Sequence, residues 1–89
     1  MDENTKPRRR TDLLVEELAQ EILVYVDEDE AVHILNPTAR VVWELCDGSH
    51  DVGQIESRLR ASFHVADGID LIADIRQTLQ VFAAKRLVL

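Results

Sequence analysis

Few side chains in this 89-residue sequence are able to carry out chemistry, and they are scattered. His33, His50 and His64 fall in three different predicted elements, and no two of them have the spacing of metal ligands. Cys46 has no second cysteine or histidine on its helix face, so we expect no zinc site there. Its apolar surroundings instead indicate an unreactive core thiol. Ser49 precedes His50, but adjacency in sequence does not make a catalytic triad.

The glycines and the acidic residues do not indicate a phosphate or metal site either. Gly48, Gly53 and Gly68 are isolated, so there is no glycine-rich phosphate loop. The acidic run from Asp27 to Glu30 lacks the ligand spacing of an EF-hand and is typical of a solvated turn. We therefore predict a protein that is not an enzyme and that has no cofactor and no metal.

Length and charge limit the function further. The chain is long enough for one domain, and its apolar fraction of 46% is too high for a disordered chain. Residues 6–10 hold four of the ten basic residues and residues 2–3 hold two of the 17 acidic ones. Residues 11–89 therefore carry six basic and 15 acidic residues, a net charge of −9, which repels nucleic acid.

The expected location of the chain is the cytoplasm. No apolar run approaches the roughly 18 residues of a membrane span, so no membrane partner is expected. A single cysteine cannot form an internal disulfide, which fits a reducing compartment.

Three short apolar runs, separated by polar breaks, predict three strands. They are LLVEEL from Leu13, ILVYV from Ile22 and AVHIL from Ala31. Because the breaks are short, the strands should form an antiparallel meander with the third strand at an edge. That strand contains no lysine, proline or acidic residue to protect its unpaired backbone groups. We predict that residues 1–10 form a flexible N-terminal arm and that residues 11–89 form the folded domain.

After the third strand the apolar residues recur at helical spacing. Asn36 is a suitable N-cap for a first helix, which is predicted to end with Gly48 in the C′ position. Asp51 and Gln54 have the capping-box pattern, and a third helix is predicted to start near Asp67. The apolar stripes comprise Ala39, Val42, Trp43 and Cys46 in the first helix, Val52, Ile55, Leu59 and Phe63 in the second, and Ile72, Ile75, Leu79 and Phe82 in the third.

The element order β-β-β-α-α-α predicts an α+β fold that is similar to a winged helix-turn-helix. DNA binding is a poor fit, because Asp67, Asp70 and Asp74 outnumber Arg76 in the first half of the third helix. Peptide binding fits better, since an extended peptide can pair with the open edge of the third strand.

The stretch LNPTARVVWELCDG, followed by SHDVGQIESRLRASF, resembles the family of pyrroloquinoline quinone biosynthesis protein D, PqqD, and more broadly the recognition elements of ribosomally made, modified peptides. The matching positions are Leu35, Asn36, Ala39, Trp43, Asp47, Gly48, Ser49, Val52 and Ile55. Each of them also has a structural role as a cap, a turn or a core residue. The sequence departs from the family pattern in its AAKRLVL ending and in its basic KPRRR segment.

The resemblance implies a non-catalytic module that binds the leader segment of a precursor peptide by strand addition. It would present the rest of the peptide to a modifying enzyme, often a radical SAM protein. By position, the implied peptide-binding residues are Ala31, Val32, His33, Ile34 and Leu35 on the strand and Ile72, Arg76 and Leu79 on the third helix. The strand would contribute mostly backbone groups, and Arg76 would pair with an acidic residue of the peptide.

Two other uses of the same shape remain open. One alternative is that the chain is an acidic winged-helix domain that contacts a protein partner. A less favoured form of this alternative is a DNA-binding regulator. The other alternative is that the open edge forms a dimer contact, either by pairing of two copies of strand three or by strand exchange.

Overall fold

The computed structural model describes residues 5–65 and 68–89. It consists of a three-stranded sheet followed by three helices, and this confirms the predicted α+β fold. The elements are β1 (Leu14–Leu18), β2 (Glu21–Val26), β3 (Ala31–Leu35), α1 (Pro37–Glu44), α2 (Val52–Ser62) and α3 (Leu71–Ala84). The strands pair antiparallel in the order β1-β2-β3, and a short 3-10 helix, Asp27–Asp29, joins β2 to β3.

One side of the sheet forms the wall of the hydrophobic core. Ile22, Val24 and Val26 alternate along β2, and each is at most 2% exposed. The register places Leu35 of β3 opposite Ile22, so that β3 adds a buried residue to the same side. The helices and Cys46, from the loop after α1, complete the core; the helix residues are Val42, Trp43, Val52, Ile55, Leu59, Leu71, Ile75, Leu79 and Phe82. The core therefore lies between one side of the sheet and the three helices.

Helix α1 begins as the sequence predicts and ends earlier. The side chain of Asn36 accepts a hydrogen bond from the backbone N–H of Ala39 at 2.8 Å, and Pro37 occupies the first helical turn. The helix ends at Glu44, however, so the prediction of Gly48 as its C′ residue is wrong. Gly48 does have a positive φ of 82°, but its N–H donates to the carbonyl of Pro7 rather than to the helix. Its conformation belongs to the loop before α2.

The predicted starts of the two later helices compare differently with the structure. The capping box of α2 is confirmed, because the N–H of Gln54 donates to the Asp51 carboxylate at 2.9 Å and the Gln54 side chain accepts from the Asp51 N–H at 2.8 Å. Helix α3 starts later than predicted, with Asp70 accepting from the N–H of Ala73. Gly68 has a φ of 85°, so the chain is not yet helical there. Asp67 itself lies outside the described residues.

The basic segment near the N-terminus lies against the domain, which differs from the flexible arm that the sequence predicts for residues 1–10. Pro7 is buried, and the N–H of Arg9 donates to the carbonyl of Cys46 at 2.6 Å. On the other side, the N–H of Leu89 donates to the carbonyl of Arg8 at 2.8 Å. Backbone pairing with both the loop after α1 and the C-terminal residues holds residues 7–10 in place. Residues 1–4 lie outside the described residues.

The C-terminal residues close the same end of the core. Leu87 and Val88 are nearly fully buried. The indole N–H of Trp43 donates to the carbonyl of Leu87 at 2.9 Å, which satisfies two polar groups inside the core. The guanidinium of Arg9 lies 5.7 Å from the centre of the Trp43 ring. Among the described residues, no helix is long and apolar enough to span a membrane.

The cap of α1 provides a test of the fold. Replacing Asn36→Ala removes the side chain that accepts the N–H of Ala39, and we expect the free energy of unfolding to fall by about 1 kcal/mol. Urea denaturation followed by circular dichroism measures this change. Asn36→Asp, which keeps the accepting oxygen, should remain within a few tenths of a kcal/mol of the original protein. Equal destabilisation by both variants would contradict the capping role.

Candidate functional site

A groove lies between the C-terminal end of β3 and α3, next to the open edge of the sheet. Within the described part of the chain, β3 pairs with β2 on one side and with no other strand of the sheet. The groove has a volume of about 470 Å³. It is lined by Glu21, Ile34, Leu35, Asn36, Ala39, Asp74, Gln77, Thr78, Val81, Phe82 and Lys85. An unpaired strand edge therefore lies beside a helix that supplies side chains.

The apolar part of the groove has a buried floor and exposed walls. Leu35 and Phe82 form part of the hydrophobic core, and only small fractions of their surfaces are accessible. Ile34 and Val81 also line the groove and are 64% and 41% exposed. Because the floor belongs to the close-packed core, the apolar part of the groove is preformed.

Charged residues lie along the α3 wall of the groove. Asp74 and Lys85 are 11 positions apart, which corresponds to about 16 Å along a helix. Asp74 lies in the first turn of α3 and Lys85 is its C-cap, so each charge is at the end of the helix where the dipole favours it. The hydroxyl of Thr78, between them, donates to the carbonyl of Asp74 at 2.9 Å. A ligand in the groove would meet a negative group at one end of this wall and a positive group at the other.

The predicted strand residues divide between the two sides of β3. Val32 and Ile34 are exposed, whereas Leu35 is 5% exposed. Ala31 and His33 are half-buried and face the same side as Leu35, because side chains alternate along a strand. Of these five residues, Ile34 and Leu35 line the groove.

The predicted helix residues lie on a different face of α3 from the groove. Leu79 is 0% exposed, and Ile72 is half-buried against the core. Arg76 is also half-buried, and none of the three lines the groove. The stripe that does line it consists of Asp74, Gln77, Thr78, Val81 and Lys85. The sequence contained one signal for this groove-lining stripe, which is Val81. Val81 is apolar and lies at helical spacing from the other four positions, but it is outside the apolar stripe that was predicted for the third helix.

A cluster of Asp47, Ser49 and His50 caps the loop before α2. Asp47 Oδ1 accepts a hydrogen bond from the Ser49 hydroxyl at 2.6 Å and another from the Ser49 backbone N–H at 2.9 Å. The same oxygen lies 3.0 Å from His50 Nδ1. These hydrogen bonds hold the pKa of Asp47 well below its usual range, and the one from the Ser49 hydroxyl has the largest effect. The Ser49 Oγ also lies 3.1 Å from His50 Nδ1, so hydrogen bonds join all three side chains and stabilise the loop before α2.

The buried thiol of Cys46 is unsuited to chemistry. Its Sγ lies 3.2 Å from the carbonyl of Val42, and burial raises the pKa of the thiol to about 12. The thiolate, which is the reactive form, is therefore scarce at neutral pH. Within residues 5–65 and 68–89, no group of three or more potential metal ligands is close enough to hold an ion.

The protein is a small winged-helix-like module with a groove at the edge of its sheet. It is defined by a three-stranded sheet, three following helices and an open strand beside α3. The sequence of residues 21–88 matches the family described as Coenzyme PQQ synthesis protein D (PqqD). The match spans most of the chain, and this protein belongs to the PqqD family.

A solved structure with the same fold is that of TbiB1 in complex with the TbiA(beta) leader peptide. The TM-score is 0.76, with 16% sequence identity, and the match covers 91% of this chain and 93% of the TbiB1 chain. At this identity the similarity establishes the fold. None of the curated proteins is significantly similar in sequence to this chain.

The state of Cys46 is directly testable. At pH 8 we expect the folded protein to react with a disulfide reagent such as Ellman's at least about tenfold more slowly than the urea-unfolded protein, because the folded thiol is buried and protonated. The absorbance of the released chromophore gives both rates. Comparable rates in the two states would show that Cys46 is accessible and that its interpretation as an inert core residue is wrong.

Proposed function

We propose that this protein binds the leader segment of a ribosomally made precursor peptide as an added strand on β3. The observation that carries the proposal is the open edge of β3, which lies beside a preformed groove with an apolar floor. An extended peptide gains main-chain hydrogen bonds from such an edge and specificity from the adjacent side-chain pocket. The folded body, residues 11–89, would carry this role.

The comparisons support this choice of ligand. The chain belongs to a family described by its part in the synthesis of the coenzyme PQQ. TbiB1, which shares the fold, is a protein solved in complex with a leader peptide. The same arrangement of strand edge and helix in this chain is the reason to assign it the same class of ligand.

The groove indicates how the peptide would be recognised. Successive side chains of an added strand point to opposite sides, so every second residue would face α3. An apolar residue of the peptide would contact Ile34 and Val81, which line the groove together with the buried Leu35 and Phe82. Asp74 and Lys85 would select basic and acidic peptide residues at the two ends of the wall.

The residues that we propose to contact the peptide therefore differ from those that the sequence implied. Val32 and Ile34 would contribute side chains, and Ala31, His33 and Leu35 would contribute mainly their backbone. We replace Leu79 with Val81 as the principal apolar contact on α3, because the Leu79 side chain is fully buried. Ile72 and Arg76 lie outside the groove lining, so any contact they make would be with a peptide that extends beyond it.

The role we propose is not catalytic. The protein would present the bound precursor to a separate modifying enzyme, such as a radical SAM protein, in the cytoplasm. The inert thiol of Cys46 and the capping role of Asp47, Ser49 and His50 support a binding function. DNA is disfavoured as a partner because Asp74 lies in the first turn of α3 and the sheet is acidic. Pairing of two β3 edges in a homodimer would compete with the peptide for the same backbone groups.

An amide NMR titration tests strand addition. The titrant is a synthetic peptide with the sequence of the leader segment of any precursor peptide encoded beside the gene of this protein. We expect saturable shifts at residues 31–35 and along 74–85, with a dissociation constant on the order of micromolar. A matched peptide that is N-methylated at alternate backbone amides should lose binding in one of the two alternating patterns, because only one set of amides faces β3. Binding that tolerates both patterns, or that leaves residues 31–35 unshifted, would rule out an added strand.

The side-chain part of the groove is tested at Val81. Replacing Val81→Thr keeps the shape of the side chain but places a hydroxyl against the bound apolar residue, and we expect the peptide to bind about tenfold more weakly. Isothermal titration calorimetry measures the affinity. Leu14→Thr is the matched control, because Leu14 is an exposed apolar residue on β1, outside the groove. Unchanged affinity in the Val81 variant, or an equal loss in both variants, would contradict the proposed groove.

A further inference from the structure

The side of the sheet that faces away from the helices is unusually apolar. The register places eight strand residues on this side, and six of them are apolar. They are Leu14, Leu18, Leu23, Tyr25, Val32 and Ile34, and the other two positions are Glu16 and Glu21. An antiparallel sheet with one solvated face normally alternates apolar residues inside with polar residues outside. We call this set of eight residues the outward face.

The apolar residues of the outward face are adjacent and accessible. Leu14, Tyr25 and Val32 are opposite one another on the three strands, and Leu23 and Ile34 are paired in the next row. Leu14, Val32 and Ile34 are 68%, 53% and 64% exposed. In the described part of the chain, the residues that the helices bury belong to the other side of the sheet. A contiguous apolar patch of this kind marks an interaction surface.

Acidic residues predominate around this patch, although Arg40, Arg10 and Arg86 form ion pairs with Glu17, Glu28 and Asp29. The segment 14–35, which comprises all three strands and their connections, contains seven acidic residues and no lysine or arginine. Glu16 and Glu21 lie on the outward face itself, and Glu16 accepts the hydroxyl of Tyr25 at 2.9 Å. The run from Asp27 to Glu30 lies at the adjacent hairpin. A partner would therefore meet an apolar centre with an acidic border.

We propose that the outward face docks a folded protein whose apolar patch is bordered by lysines and arginines. Charge complementarity favours this occupant, because opposite charges at the rim speed association and suppress wrong partners. A second copy of this chain would bring the acidic Glu16 and Glu21 against the same two residues of the first copy. A leader peptide is a poor occupant, since backbone groups of the sheet are available at its edge and not on its face.

The proposal does not require the peptide-binding function. If both hold, the docked protein lies next to the bound peptide, because Ile34 belongs to the outward face and also lines the groove. This geometry would bring a modifying enzyme close to the peptide that it acts on. Leu14 and Leu18, on β1, belong to the outward face alone and therefore separate the two surfaces experimentally.

The test uses a defined probe, an amphipathic helical peptide with leucines on one side and lysines on the other. An amide NMR titration should show shifts at 14–18, 23–25 and 32–34. The double variant Leu14→Thr, Leu18→Thr should bind this probe at least about tenfold more weakly, because it removes two apolar contacts. Threonine suits an exposed strand, so the sheet should be retained.

Two controls make the result decisive. A probe with glutamates in place of the lysines should bind much more weakly, and Val81→Thr should change the affinity for the lysine probe by less than about twofold. Absence of binding by the lysine probe, shifts outside the outward face, or equal binding of both probes would overturn the proposal. Sedimentation velocity of the protein alone provides a further test. A dimer that the double variant dissociates would show that the occupant is a second copy.

Discussion

The structure depends on the burial of one side of a small sheet. Ile22, Val24 and Val26 must leave water together, because they alternate along the central strand. All three helices contribute to the core on that one side, so none is left to cover the far side of β3 or the opposite side of the sheet. The open edge and the outward face are therefore consequences of how the core is closed.

The groove is built from the same residues as the core. Leu35 ends β3 and Phe82 lies near the end of α3, and both pack in the hydrophobic core while also lining the groove. The distance between strand and helix is thus set by core packing, which resists change. A ligand that binds there would gain from a shape that already exists and would lose little conformational entropy of the protein.

The two ends of the described chain close the core away from the groove. Residues 7–10 pair with the loop after α1 and with the C-terminal residues, and the indole of Trp43 binds the carbonyl of Leu87. Arg10 adds hydrogen bonds to the side chains of Asp12 and Glu28 and to the carbonyl of Arg86. The basic residues near the N-terminus therefore serve the fold, since their backbone and side-chain groups are used within the domain.

The sequence by itself determined the strands, the caps at Asn36 and Asp51 and the α+β order, because each depends on local periodicity or on hydrogen bonds between near neighbours. It also placed the open edge on β3, since short breaks require consecutive strands to pair. Only the tertiary structure decided that Val81 rather than Leu79 lines the groove. The rotation of α3 follows from its packing against α2 and the rest of the core, which joins residues distant in sequence and which the helical period does not specify.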